Sequence, residues 1–170
     1  MGNTPSQPTD EQAEELKEKM NQMVEAAAAA IAKADVLLVT TGAGWSADSG
    51  LAVYKDVADV PAYHKRELTY HALCNPGVLH EDPALFHGFW GGCFNDYRNV
   101  PPHEGYSIVA RWVEQRFGAH TRAAAALRRL QDEGGAPRAF FAFTSNVDAH
   151  HERAFAAEEI YEVGRPLRVV

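Results

Sequence analysis

The chain has 170 residues, a length that fits one compact domain able to bury about two-thirds of its unfolded surface. Hydrophobic residues at 46% and charged residues at 23% exclude a disordered chain, and a net charge of -7, from 16 Lys+Arg against 23 Asp+Glu, opposes broad adhesion to nucleic acid or anionic lipid. Two cysteines, Cys74 and Cys93, show neither a disulfide framework nor a zinc spacing, and no apolar run has the length of a membrane span or a secretory signal, so a cytoplasmic protein without structural metal is expected.

In chain order, residues 1–8 are polar with two prolines and are expected to be disordered. Residues 1–6 fit the N-myristoylation pattern, with Gly2 exposed once Met1 is removed; membrane attachment is expected only if Gly2 is acylated, because Asp10, Glu11, Glu14 and Glu15 follow instead of a basic patch. From Thr9 or Asp10 a long helix is predicted, with Leu16, Met20, Met23, Val24, Ala27 and Ile31 at helical spacing and this stripe facing the core. Residues 34–41 form an unbroken apolar run, the pattern of a strand buried on both faces, and lead straight into Gly42-Ala43-Gly44.

Residues 53–118 turn irregular, with prolines at 61, 76, 83, 101 and 102 and an aromatic cluster at 86–90, and read as a helical and loop insertion. Helices are predicted over 106–117 and 121–133, the second ended by Gly134-Gly135. Residues 139–144 read as a second strand, 147–155 as a short helix and 159–163 as a third strand. Buried strands alternating with helices predict an α/β, Rossmann-like domain with a parallel sheet and flanking helices, whose ligand site lies beyond the carboxyl ends of the strands.

Gly42-Ala43-Gly44-Trp45-Ser46-Ala47 has the GxGxxA form of a dinucleotide turn at the end of a predicted strand, where glycines permit close backbone approach and the next amides can hold a pyrophosphate. No acidic ribose partner stands at the end of a second strand; Asp56 and Asp59 fall in a loop-like stretch, and a glycine turn kept for packing is the competing reading. Asn146 and Asp148 follow the second predicted strand as candidate polar site residues, or can form an Asx turn capping the next helix.

The string from Thr41 to Lys55, together with Thr144-Ser145-Asn146-Val147-Asp148 and His151-Glu152-Arg153-Ala154, resembles the sirtuin family of NAD-dependent protein deacylases over about residues 34–163. The resemblance implies NAD as cofactor and an acyl-lysine protein as substrate, with the acyl group passing from lysine to ADP-ribose. It also implies that Gly42, Ala43, Gly44 and Ser46 hold the phosphates and adjoining ribose, with Ala47 lining the same pocket through its backbone. Tyr54 stands for a family Phe that shields the reacting ribose, and Lys55 for a family Arg, keeping charge but not the planar fork. Asn146 and Asp148 match the pair that positions nicotinamide and its ribose, with the backbone of Val147 between them, and Ser145 replaces a Gln. His151 matches a family histidine that packs the helix; the remaining six histidines, from His64 to His120, read as solvated loop residues.

The family's general base is a histidine in a His-Gly pair after the next strand, and here that stretch reads Tyr161-Glu162-Val163-Gly164. The family's zinc module and closing strands follow beyond it. The 170 residues are therefore expected to be about the first two-thirds of a family domain of ordinary size, shortened naturally or by a frame shift after Val163. The first strand would then be a sheet edge open to self-association, and deacylation by this chain alone is expected to be weak or absent. An NAD- or ADP-ribose-binding module without turnover, and an NAD hydrolase that uses water as acceptor, are the alternatives.

Overall fold

The computed structural model describes residues 9–130 and 138–163. The expected disordered start at 1–8, the helix end at Gly134-Gly135 and the stretch from Gly164 onward lie outside the described residues. Helix α1 spans Asp10–Lys33 and begins with a reciprocal cap, in which the Gln12 amide donates to Thr9 Oγ1 at 3.3 Å and the Thr9 amide donates to Gln12 Oε1 at 2.9 Å. Strand β1 (Leu37–Thr41) follows, then the short helix α2 (Ala43–Ala47) and a 3-10 turn at Tyr54–Ala58. Helices α3 (Pro61–His64), α4 (Tyr70–Leu73), α5 (Val78–Glu81), α6 (Pro83–Asn99), α7 (Glu104–Arg116) and α8 (Arg122–Leu130) lead to β2 (Phe140–Thr144) and β3 (Ile160–Glu162). The predicted helix at 147–155 is a 3-10 turn, His151–Arg153.

The three strands are parallel in the order β1-β2-β3, with Leu37 opposite Phe140, Thr41 opposite Thr144 and Thr144 opposite Glu162. One face is covered: Phe140 and Ala142 pack with Tyr106, Val109 and Val113 of α7, Ala124 of α8, and Phe117 and Phe155 in a continuous core that Leu37 and Val39 join from β1. The other face is open, which corrects the expectation of strands buried on both faces. Leu38 is 60% exposed, Phe143 40% and Tyr161 55%, and the last two stack with ring centroids 5.5 Å apart. The helices that share the sheet core stand on the Leu37 side, so the alternating residues of each strand have no covering layer among the described residues. Within the described sheet β1 and β3 are the edge strands, and β1 is the one expected to be an edge.

The apolar stripe of α1 does not face the core either: Leu16, Met20, Met23 and Val24 are all more than half exposed, and no residue of the helix is buried. Length is the physical reason. A 24-residue helix is about 36 Å long, roughly twice the span of a five-residue strand, so only its last turn reaches the sheet core. Ile31 packs there, and Arg116 of α7 donates to the carbonyl of Ala32.

Residues 53–118 divide between two cores. Ala58, Leu73, Phe89 and Cys93 are the buried centre of a helical module, against which Tyr63, Tyr70, Cys74 and Tyr97 pack. Helix α7 instead belongs to the sheet core. The long helix of the module, α6, starts on Asp82, whose carboxylate accepts from the Leu85 amide at 3.0 Å and from Arg66 at 2.9 Å; those bonds hold it below the usual carboxylate range. No helix among the described residues is long and apolar enough to cross a membrane.

The strand starts are tied by a buried ion pair. Glu159 is fully buried, receives both Nε and a terminal nitrogen of Arg138, and also accepts from the Ala156 amide at 3.3 Å. Removing one partner leaves a buried charge without compensation. Arg138→Met is therefore expected to lower the unfolding free energy by about 3–5 kcal/mol in urea titrations, and the double change with Glu159→Leu to recover most of that loss.

Candidate functional site

The two parallel strands end level, so the segments after Thr41 and Thr144 emerge side by side. Side chains fasten them to one another. Thr41 Oγ1 donates to Thr144 Oγ1 at 2.8 Å and lies 3.0 Å from His151 Nε2, while the Asn146 amide donates to Thr144 Oγ1 at 3.1 Å. The Asn146 side-chain amide reaches across to the Gly42 carbonyl at 2.9 Å, and Ser46 Oγ donates to Asp148 Oδ2 at 2.5 Å. The second carboxylate oxygen of Asp148 accepts from the His150 amide at 3.0 Å, so the segment does form the Asx turn that was the competing reading. That turn does not remove Asp148 from the site, because the same carboxylate lines the cleft.

The cleft encloses about 140 Å³ above the ends of β1 and β2. Of the residues singled out in the sequence, Ala43, Ser46, Tyr54, Ser145, Asn146, Val147 and Asp148 line it. Gly42 stands behind it as the anchor for Asn146, Gly44 and Ala47 are exposed on α2, and Lys55 lies in the adjoining 3-10 turn. Sequence reasoning missed Leu51, Ala52, Val53, Val57, Tyr70 and Tyr97, which complete the lining. Proximity to Tyr54 could have suggested the first four; nothing local marks the two tyrosines, which arrive from α4 and α6.

The tyrosines are electrostatically distinctive. Burial pushes Tyr70 up to about 12 and Tyr97 higher still, so both phenols stay protonated at neutral pH. Burial also raises Cys93, to about 11, which leaves it a packing thiol rather than a thiolate. Two non-glycine residues with left-handed backbone flank the cleft, Tyr54 at φ 51° and Ala149 at φ 57°. Such conformations persist only where surrounding structure imposes them, and they cluster at functional sites.

The backbone of the glycine turn is open to close approach. Gly42 has extended backbone, and a Cβ on it would meet only Ser145 Oγ, at 3.8 Å. A Cβ on Gly44 would meet nothing within 4 Å. Neither φ nor protein packing calls for glycine at these positions, so packing alone does not account for the motif, and the open space beside Gly44 suits a ligand that approaches the backbone closely.

No family model matches the chain. It is 29% identical over 128 residues to an NAD-dependent protein deacylase of Deinococcus radiodurans, covering 75% of this chain and 43% of that protein. It is 26% identical over 133 residues to an NAD-dependent protein deacylase of Bacteroides thetaiotaomicron, covering 78% and 46%. Among solved structures, a triply substituted Sir2 homologue in complex with 2'-O-acetyl ADP ribose superposes with a TM-score of 0.52 at 23% identity, over 81% of this chain and 45% of that one. A structure described as the basis of sirtuin substrate affinity gives 0.55 at 15% identity, over 84% and 47%.

The chain is a sirtuin relative at partial coverage. The structural likeness establishes the Rossmann-like sirtuin fold of the described part. The match spans less than half the length of each of these sirtuin relatives.

Two histidines support the cleft from beneath. His150 and His151 are buried, and desolvation holds both below their ordinary value of 6.5. Asp148, whose Oδ2 is 3.8 Å from His150 Nδ1, opposes that shift and is outweighed; Arg153 adds to it for His150. His103 is also misread as solvated: it caps α7 by accepting from the Gly105 amide at 3.0 Å and packs edge-on against Trp45, centroids 4.5 Å apart. The other five, His64, His71, His80, His87 and His120, are exposed. Because His150 and His151 are neutral when folded, the unfolded chain takes up protons near pH 6.5 that the folded chain refuses, and stability falls as pH drops through that value. Urea midpoints measured from about pH 8 to about pH 5 are expected to decline on the acid side, and to decline less steeply in a His150→Gln variant.

Proposed function

We propose that the cleft binds NAD and that the chain carries the nucleotide-binding part of a sirtuin-type lysine deacylase. The observation that carries this reading is the convergence of the glycine turn and the Asn146–Asp148 segment, 104 residues apart at Gly42 and Asn146, in one cleft at the carboxyl ends of two parallel strands. The names of the two curated relatives support NAD and an acylated protein as ligands.

The dinucleotide supplies nicotinamide as leaving group and ADP-ribose as acyl acceptor. The chain's own residues bind and orient it. Gly42, Ala43 and Gly44 offer backbone to the phosphates, and Ser46 and Asp148, already bonded to each other, present a fixed polar edge to a ribose. Asn146 and the backbone of Val147 face the carboxamide, with Ser145 beside the ribose. Tyr54, at the mouth, shields the reacting carbon from water, and Lys55 stands next to it in the turn. Tyr70 and Tyr97 line the opposite wall.

A second reading, nucleotide binding without turnover, draws support from the lining, which among the described residues contains no imidazole. Calorimetric titration tests the binding common to both. NAD is expected to bind the 170-residue chain, and Gly44→Val, at a position where an added Cβ meets nothing within 4 Å, to weaken binding by at least about tenfold without lowering the melting temperature. A folded chain that ignores NAD would overturn the proposal. Nicotinamide release separates the activities: release only with an acetyl-lysine peptide indicates deacylation, release without it hydrolysis, and no release a binding module.

A further inference from the structure

The helical module and the sheet have separate cores, and the cleft lies where they meet, with Tyr70 and Tyr97 on the module side and Ser46, Asn146 and Asp148 on the sheet side. The module leaves the sheet domain after β1 and α2 and returns ahead of α7, and the His103 amide donates to Ser49 Oγ at 3.1 Å, so its two chain connections lie side by side. Such an insertion is free to hinge unless side chains cross the gap.

Arg153 crosses it. From the 3-10 turn that follows the Asp148 loop, its NH1 donates to the Val100 carbonyl at 3.0 Å, and its NH2 donates to the carbonyls of Tyr97 at 2.8 Å and Arg98 at 3.3 Å. These acceptors sit at the carboxyl end of α6, where carbonyls lack partners within the helix and the backbone dipole favours a cation. The same Tyr97 and Val100 carbonyls lie beside the His150 ring, and Tyr97 lines the cleft.

We propose that Arg153 is a positioning residue: it latches the end of α6 onto the Asp148–His151 loop and so sets the separation of the two cleft walls. A guanidinium suits this task because its planar fork reaches several carbonyls at once, whereas an ammonium is a single point. The inference rests on the NAD-binding reading for its consequence, since a module held closed keeps the binding-competent cleft populated, and loss of the latch lowers apparent affinity by the fraction of chains that open.

Two measurements on the full chain test it. Arg153→Met is expected to raise the NAD dissociation constant about tenfold, and Arg153→Lys to give an intermediate value. Hydrogen exchange in the Arg153→Met chain is expected to accelerate at the last turn of α6 and at the 3-10 turn 54–58, while β1, β2 and α7 keep their protection. Wild-type NAD affinity in Arg153→Met, or exchange that rises equally in sheet and module, would overturn the latch. If the unsubstituted chain does not bind NAD, the functional reading fails, and the exchange pattern still decides whether Arg153 holds the module.

Discussion

The register that sets Thr41 against Thr144 determines where the rest of the site can stand. Two parallel strands that end level deliver both following segments at the same height. The hydroxyl pair between those threonines, extended by His151 on one side and the Asn146 amide on the other, closes the strand ends with side chains. From that base, Asn146 reaches Gly42 and Ser46 reaches Asp148, and the two segments become one wall. A slip of one residue would place Thr40, which points to the open face, opposite Thr144, and the bonds between the two segments would be lost with it.

This dependence explains which parts of the molecule are legible in the sequence. The apolar runs at 34–41 and 139–144 mark their strands because each is short, unbroken and followed by a turn, and the loops after them carry their chemistry locally. The assembly of Ser46, Asn146 and Asp148 therefore follows once the strands are paired. Tyr70 and Tyr97 have no such local mark. They reach the cleft because Leu73, Phe89 and Cys93 fold the module into a core of its own, and that packing is long-range. The stripe on α1 shows the converse: the 3.6-residue period reports an apolar face faithfully, yet the partner of that face is not encoded in the period. His103 is a smaller case, since its capping role depends on the start of α7 and its burial on Trp45.

The sheet is asymmetric in a way that matters for the site. Its covered face carries Thr41, Thr144 and the core beneath them, while its open face carries Leu38, Phe143 and Tyr161 and contributes nothing to the cleft. The walls of the cleft come instead from two bodies with separate cores. On the sheet side, paired strands and buried hydrogen bonds fix each group. On the module side, short helices around a small core bring two phenols to the same space, and the left-handed residues Tyr54 and Ala149 stand at the junction. Backbone held in a sparsely populated conformation at a boundary is consistent with a junction that is specified by its surroundings rather than by local preference.

Asp148 shows what this rigidity provides. It is 3% exposed, one oxygen is bonded to the Ser46 hydroxyl and the other to the His150 amide, so the carboxylate is anchored on both sides before any ligand arrives. A group so placed cannot swing to meet a ligand; the ligand must come to it. Electrostatic orientation of a leaving group depends on dipoles that do not reorganise during the reaction, and a doubly held carboxylate at a strand end meets that condition. The adaptable element is then the opposite wall, where Tyr97 rides on α6. Division of the cleft into a fixed polar wall and a hinged phenolic one follows from the two separate cores, and it makes the contact between α6 and the loop after Asp148 the point at which fold and function are joined.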